Sequence, residues 1–479
     1  MDLTVLHLAV PTLSNELKPT SAQLLWIIDI YGFMVAGFLV TMGTLGDRIG
    51  RRKLLMIGSA AFGAFSLMAA FSKTAEMLIL SRALLGIAGA TLGPSTLSLI
   101  FSMFHDPLER AKAIGVWISA FSVGSAVGPI LGGVLLEYFW WGSVFLLAVP
   151  VMVLLLILSP IVLPEYRDPK AGRLDLLSVV LSLVAVLSVI LGLKQIAQDG
   201  IGWFPISSIL IGLVVGFIWV RRQLSLSHPM IDVRLFRIRA FSSALTVNFL
   251  AVFVAIGYFL FVAQYLQLVV GLSPLNAGLW SVPSALGFTI GSNIAPRLVR
   301  RFRPQQIISS SLGLAAIGLA VLSQVGVVNG LIIVVIASVI ISLGLGPVFG
   351  LTTELIVGSA PPEKAGAASG ISETASELGG ALGISILGSI GVAIYRSRLA
   401  DLLPKEIPPN VAEIAKDTLG AAVGIAKELP NELSMTLLET ARSAFVQGVQ
   451  IAAVISAIVA IAAAFLTAKM LRKVGKSSL

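Results

Sequence analysis

The chain has 479 residues, 57% apolar and only 12% charged, with a mean hydropathy of +0.97. A water-exposed globular domain carries about a quarter charged residues, so that class is excluded. The formal charge of +9 could serve nucleic acid, so the placement of the charges has to decide. The chain contains no cysteine, which excludes disulfides, thiol catalysis and thiolate-held metal; His7, His105 and His228 lack metal-ligand spacing.

Uncharged runs recur near the roughly 20 residues that cross a hydrocarbon core of about 30 Å, and backbone groups in lipid must be satisfied within a segment, so the runs are helices. The pattern predicts spans at 24–46, 54–72, 76–102, 112–136, 141–163, 174–194, 202–221, 241–270, 276–298, 306–325, 330–358, 365–395 and 444–471. Met1–Leu13 is apolar but covers only about 20 Å at 1.5 Å per residue. It reads as the outer part of a first helix whose inner part lies upstream, and not as a signal peptide, because it has no basic leader and carries Asp2.

Lys and Arg alternate between the two sides. One set of connections, containing Arg48–Lys53, Arg110 and Lys112, Arg167–Arg173, Arg221–Arg239, Arg297–Arg303, Lys364 and the tail from Lys469, carries 23, whereas the opposite short loops carry 3. The first set is therefore cytoplasmic, and the basic balance is topology, with no call on nucleic acid. One long outer segment, 396–443, has apolar positions at Val411, Ile414, Ala415, Leu419, Ala422 and Ile425, then at Leu433, Leu437, Leu438, Ala441 and Phe445. Two amphipathic helices broken at Leu429–Asn431 would form a hairpin over the outer mouth.

The basic loop Gly46–Arg52 is echoed by Ala295–Arg301, which suggests two repeated halves. The expected organisation is an N-terminal bundle over 1–165, two additional membrane helices over 166–222, an interfacial linker over 223–240 and a C-terminal bundle over 241–479 that includes the hairpin. The fold class is all-α and polytopic.

Four groups of residues carry chemistry. In Gly43-Thr44-Leu45-Gly46-Asp47-Arg48-Ile49-Gly50-Arg51-Arg52-Lys53 the glycines permit a tight turn, and Asp47 can bond arginines or a helix terminus, so the loop can lock one arrangement of domains. Arg82 lies well inside an apolar run, where a charge costs at least about 2.5 kcal/mol at mid-depth, so it should face a polar cavity or a carboxylate unless it snorkels outward. Gly115, Gly124, Gly128-Pro129 and Gly132-Gly133 provide small surfaces for close helix approach, and Pro129 bends its span. Asp2, Asp29, Glu373 and Glu377 are acids in apolar runs; Glu373 and Glu377 are one turn apart on one face, and two such carboxylates in a low-dielectric site do not both ionise easily. Buried acids bonded to hydroxyls or to Arg82 are the structural alternative. Glu354, near an inner end, reads as interfacial. Trp26, Tyr31, Trp117, Phe121, Tyr258, Phe261 and Tyr265 could hold a lipophilic cation, although each also fits packing or an interface belt.

These strings together resemble the major facilitator superfamily, and within it the fourteen-span drug:proton antiporters that include quaternary-ammonium efflux pumps. The resemblance implies two six-helix bundles with two linking helices, alternating access and a monomer in a bacterial inner membrane. It implies export of lipophilic cations in exchange for protons, with no enzymatic activity and no cofactor beyond the proton gradient. It makes Asp2, Asp29, Glu373 and Glu377 cation and proton sites, links Arg82 to proton transfer, and reads the Gly115–Gly133 string as an antiporter signature. Phe288 departs from members that bear an acid there tied to divalent substrates, so the resemblance does not extend to dications. Ser227–Phe236 resembles the family's central loop, lying along the inner interface. Export of another metabolite, such as a lipid or siderophore, would suit the same fold; a channel would need a filter of carbonyls or charge rings, and none is evident.

Overall fold

The computed structural model describes residues 21–471 except 168–174, 201, 227–228, 230–232, 362–363 and 404–405, and of the first twenty residues only Leu6, Ala9, Leu13, Glu16, Leu17 and Pro19. Within its helices the side chains of 21, 22, 24, 25, 29, 107, 121, 122, 125, 126, 129, 194, 197–199, 274, 385 and 417 are outside the description. Asp2 therefore lies outside the described residues, as does the side chain of Asp29.

No strand occurs among the described residues. The helices are α1 (Ser21–Ile49), α2 (Arg51–Ala70), α3 (Ala75–Met103), α4 (Pro107–Tyr138), a short α5 (Ser143–Leu146) continued by α6 (Ala148–Val162), α7 (Leu176–Asp199), α8 (Trp203–Ser225), α9 (Arg239–Gln264) with a π turn over Tyr265–Val269, α10 (Pro274–Val299), α11 (Pro304–Leu322), α12 (Gly330–Gly358), α13 (Ala365–Leu402), α14 (Pro409–Asp417), α15 (Leu419–Ala426) and α16 (Asn431–Met470). Eleven membrane-length apolar helices lie within the described residues, and α4 and α10, at 32 and 26 residues, complete the thirteen expected spans.

Local chemistry sets the boundaries. Asp106 caps α4 by accepting from the N–H groups of Leu108 (2.7 Å) and Glu109 (3.2 Å), with Pro107 in the first turn where its missing N–H costs nothing. Thr74 caps α3 through Met77 N–H at 3.2 Å. Between α1 and α2 the chain turns at Gly50, whose φ of 114° belongs to glycine.

In the N-terminal half α3 packs along α1 and α2, and α2 along α6; in the C-terminal half α12 packs along α10 and α11, and α9 along α13. The halves meet where α1 lies against α13 and α4 against α10. The pair α7–α8 is closely apposed through Gly192 and Gly212, whose Cα hydrogens face the Pro205 and Ala185 carbonyls. It rests on α1 and α13 by one edge, with Leu183 and Leu187 against Gly37. Its outer faces expose Trp203, Phe204, Leu210, Leu213, Val214 and Phe217, a surface that only lipid solvates well.

The outer segment departs from the expected hairpin in two ways. The stretch 411–425 is not one helix: Thr418 is extended (φ −154°, ψ 160°) and its hydroxyl accepts from Ala421 N–H at 3.1 Å, so a new cap interrupts the amphipathic run. The second arm is not separate from the last span, because α16 runs unbroken for 40 residues from Pro430. Tyr395 donates to the Ala415 carbonyl (2.7 Å) and Arg442 Nε to the Leu268 carbonyl (3.0 Å), tying the short helices and α16 to the C-terminal half.

Candidate functional site

A cavity of about 660 Å³ lies between the halves, lined from the N-terminal side by α1 to α6 and from the C-terminal side by α9, α10, α12 and α13. Its walls are mainly apolar; α13 contributes Ser372, Glu373, Ser376 and Glu377, joined by Asn248 of α9 and Thr353 of α12. Glu373 stands about 12 Å above the start of α13 by helical rise. Its Oε1 is shut from solvent and has no hydrogen-bond partner. Glu377, one turn on, is exposed within the cavity. Asn248, buried on α9, donates to Ser376 Oγ (2.8 Å) and accepts from Thr352 Oγ1 (3.1 Å), joining α9, α12 and α13 beside the two acids.

Of the seven aromatics considered from sequence, Tyr31 and Trp117 line the cavity, and Trp117 Nε1 is oriented by donating to Thr96 Oγ1 at 3.0 Å. The others are placed differently. Trp26 is exposed and leans on Phe33. Phe261 and Tyr265 face away from the cavity because their stripe of α9 packs on the rest of its own half: Phe261 meets Phe445, and the Tyr265 hydroxyl donates to the Gly326 carbonyl at 2.5 Å. Tyr258 packs against the same core. The side chain of Phe121 is outside the description. The cavity takes its remaining aromatics from Phe62, Phe145, Phe288 and Phe349, and the last two stack at 5.8 Å between centroids.

Arg82 is fully buried, which rules out snorkelling. Its guanidinium lies over the rings of Tyr31 (5.3 Å) and Phe145 (5.9 Å), both cavity-lining, and donates to the Ile28 carbonyl at 3.4 Å. The charge thus sits one aromatic layer behind the cavity wall.

On the side of the basic loops the halves are joined. Asp47 accepts from the N–H groups of Gly366 (3.1 Å) and Ala367 (3.0 Å), the open end of α13, and from Arg51 Nε (3.1 Å) and Nη2 (3.0 Å). Arg51 also donates to the Ser98 carbonyl and Ser102 Oγ of α3 and stacks on Tyr166. Gly43 and Gly366 allow the two helices to touch backbone to backbone. Arg52 donates to the Leu163 carbonyl (3.0 Å), and Glu165 accepts from the N–H groups of Arg52 and Lys53, acting as the missing cap of α2 beside Gly50. Arg48 lies on the same turn, half-buried.

A second junction was invisible as a pair in sequence. Glu354 is 1% exposed, not interfacial, and accepts from Arg110 Nε at 2.6 Å, linking the start of α4 to the end of α12. Its signal was an acid inside an apolar run, the same signal that marks Glu373. Above it α4 meets α10 at Gly115, where a Cβ would fall 3.1 Å from the Ser292 carbonyl; Ser119 Oγ contacts Ser292 Oγ (3.1 Å) and accepts from Asn293 Nδ2 (2.9 Å). Further along α4, Gly128 and Gly132 are buried and Gly124 half-buried, while Gly133 faces open space. Pro129 belongs to the side chains outside the description.

No group of acids and histidines suited to a metal ion occurs among the described residues. The Major Facilitator Superfamily profile matches residues 1–384. The chain is 42% identical over 465 residues to the multidrug efflux pump LfrA of Mycolicibacterium smegmatis, covering 97% of this chain and 92% of that protein. It is 38% identical to the methyl viologen resistance protein SmvA of Salmonella typhimurium (93% and 90%) and 30% identical to the tetracenomycin C resistance and export protein of Streptomyces glaucescens (97% and 87%). Among solved structures, the human organic anion transporter MFSD10 aligns with a TM-score of 0.56 over 97% of this chain and 96% of that one, at 17% identity, a likeness of fold.

Proposed function

The chain belongs to the Major Facilitator Superfamily and is a multi-pass membrane transporter, and from that premise we propose that it expels lipophilic cationic compounds from the cell in exchange for protons. The observation that carries this reading is the pairing of Glu373 and Glu377 on the wall of an otherwise apolar, aromatic-lined cavity between the halves. Two neighbouring carboxylates on an apolar wall attract a cation and share protons readily, while the rings of Tyr31, Phe62, Trp117, Phe288 and Phe349 accommodate its apolar body. The similarity to LfrA, SmvA and the tetracenomycin C exporter supports export of drug-like compounds.

Exchange also makes energetic sense. A monovalent cation leaving a cell works against about 2.3 kcal/mol per 100 mV, and one entering proton returns that charge, so one-for-one exchange runs on the pH gradient alone. Glu373 alternates between proton and cation, and Asp29 draws the cation inward. On this reading the two junctions on the basic-loop side, Asp47 with the start of α13 and Arg110 with Glu354, close the cavity toward the cytoplasm.

The test is uptake into inverted vesicles with an imposed pH gradient, using tetraphenylphosphonium as a monovalent probe and methyl viologen as a doubly charged one. The wild-type protein should concentrate tetraphenylphosphonium, and Glu373→Gln, which imitates the protonated state, should not. Accumulation of the probe at the normal rate by Glu373→Gln would sink the mechanism.

A further inference from the structure

We propose that Gly93 of α3 is the seat of the Glu373 carboxyl group, a bare position in one half of the molecule that governs how the exchanging group of the other half is stowed while the inner side is closed. The proposal rests on the reading of Glu373 as the exchanging group. Gly93 and Glu373 lie on opposite sides of the interface and both line the cavity. A Cβ built on Gly93 would fall 2.6 Å from Glu373 Oε1 and 2.7 Å from its carboxyl carbon, and the three nearest heavy atoms all belong to Glu373. The space that any other residue would fill is thus taken by the carboxyl group.

The other glycines of α3 have different neighbours. Gly86 admits the Tyr31 backbone and Met34, and Gly89 faces the rings of Tyr31 and Phe62, so both serve helix and ring packing within the N-terminal half. Gly93 alone among these three receives a side chain from the C-terminal half. The following residue is Pro94, inside the helix, which has no N–H to offer the carbonyl one turn back. The wall near the seat is held by the Trp117–Thr96 hydrogen bond. The seat gives Oε1 no hydrogen-bond donor.

The placement explains how one residue can serve both events. Seated against Gly93, the carboxyl group is held to the α3 wall of the cavity with Oε1 shut from solvent, and leaves the space near Glu377 to the substrate. When α13 and α3 separate, the seat no longer exists, and Glu373 faces whatever the cavity contains. Gly93 is accordingly a positioning residue, and its role depends on the absence of a side chain and not on backbone conformation.

Gly93→Ala adds one methyl group at a helical site and raises helix propensity, so the variant should fold. Purified full-length protein would be treated with a hydrophobic carbodiimide, which labels accessible protonated carboxyls, and adducts at position 373 quantified by mass spectrometry. Gly93→Ala should raise the labelling rate at Glu373 several-fold and lower probe-induced proton release. Gly313→Ala on α11, where the added methyl meets open space, should change neither. In a Glu373→Asp background, whose carboxyl group is withdrawn by one methylene, Gly93→Ala should cause little further loss. Unchanged labelling in Gly93→Ala, or an equal loss of proton release with Glu and with Asp at position 373, overturns the seat. Normal pumping by Glu373→Gln alongside altered labelling in Gly93→Ala would instead overturn the exchange reading and leave the geometry standing.

Discussion

Arg110 and Glu354, 244 residues apart, meet through a 2.6 Å bond from Nε to Oε1 that closes the floor beneath the cavity. Phe101 flanks the guanidinium at 4.8 Å, and Glu354 is buried, so removing one partner leaves a desolvated charge. Breaking such a pair costs about 3 kcal/mol or more, which would move a two-state equilibrium at least about a hundredfold. Glu354→Gln should therefore favour opening toward the cytoplasm. A single cysteine in place of Phe349 should react faster from the basic-loop side in inverted vesicles when Glu354→Gln is added. The exchange Arg110→Glu with Glu354→Arg should slow it again; equal rates in all three would remove this pair from the gate.

Asp47 joins the same floor by a different route, offering charge to the open N–H groups of α13 and to Arg51. Asp47→Asn keeps the shape and one acceptor but removes the charge, so membrane abundance should stay normal and export fall more than tenfold, as expected for loss of a charge-assisted bond network worth about 1.5–3 kcal/mol. Normal export by this variant, measured in vesicles, would make the loop a topological signal and nothing more.

Gly115→Leu should abolish transport without affecting insertion, because the side chain would be driven into the Ser292 carbonyl where α4 and α10 touch. Gly133→Leu projects into open space and should transport normally. Loss in both variants would point to folding in place of helix approach.

Outside the membrane interior, the hydrogen bonds from Arg222 and Ser178 hold the Asp175 carboxyl down at about 2. A carboxylate depressed in the folded state contributes stability above its unfolded value near 3.9 and loses it as pH falls through the folded one. Asp175→Asn should lower the unfolding temperature by an amount constant from pH 8 to about pH 4, and the difference from wild type should close toward pH 2. A difference that grows on acidification would contradict this sign.

Topology can be tested directly because the chain has no cysteine. Single cysteines at Lys73 and Asn410 should react with an impermeant maleimide in intact cells, and cysteines at Arg237 and Arg301 should not. The reverse pattern would invert the molecule and with it the direction of transport.

Much of the fold was legible because lipid leaves the chain few choices: the long apolar runs became helices near their expected bounds, save the last, whose helix begins 13 residues early at Asn431. Asp47 was legible because glycines and arginines surround it in a fixed local order, and Glu373 because an acid in an apolar run has no cheap explanation. Arg110 and Glu354 form no local pattern, so their meeting is knowable only once α4 and α12 are placed. The aromatics were legible only in part, for a related reason. Phe261 and Tyr265 share a stripe of α9, but sequence does not say that the stripe turns toward α16, whereas Phe288 and Phe349 acquire meaning only when α10 and α12 are rotated into place.

The unbroken run of α16 has a mechanical consequence. Forty residues at 1.5 Å each make a rod of about 60 Å, twice the hydrocarbon thickness, so its outer part stands clear of the bilayer as a rigid handle on the C-terminal half. With α14 and α15 strapped to it and to Tyr395, that handle cannot stay still while its membrane part tilts. A binder that grips the outer helices and braces them against the opposite rim would arrest the transport cycle from outside, without entering the cavity or competing with any compound inside it.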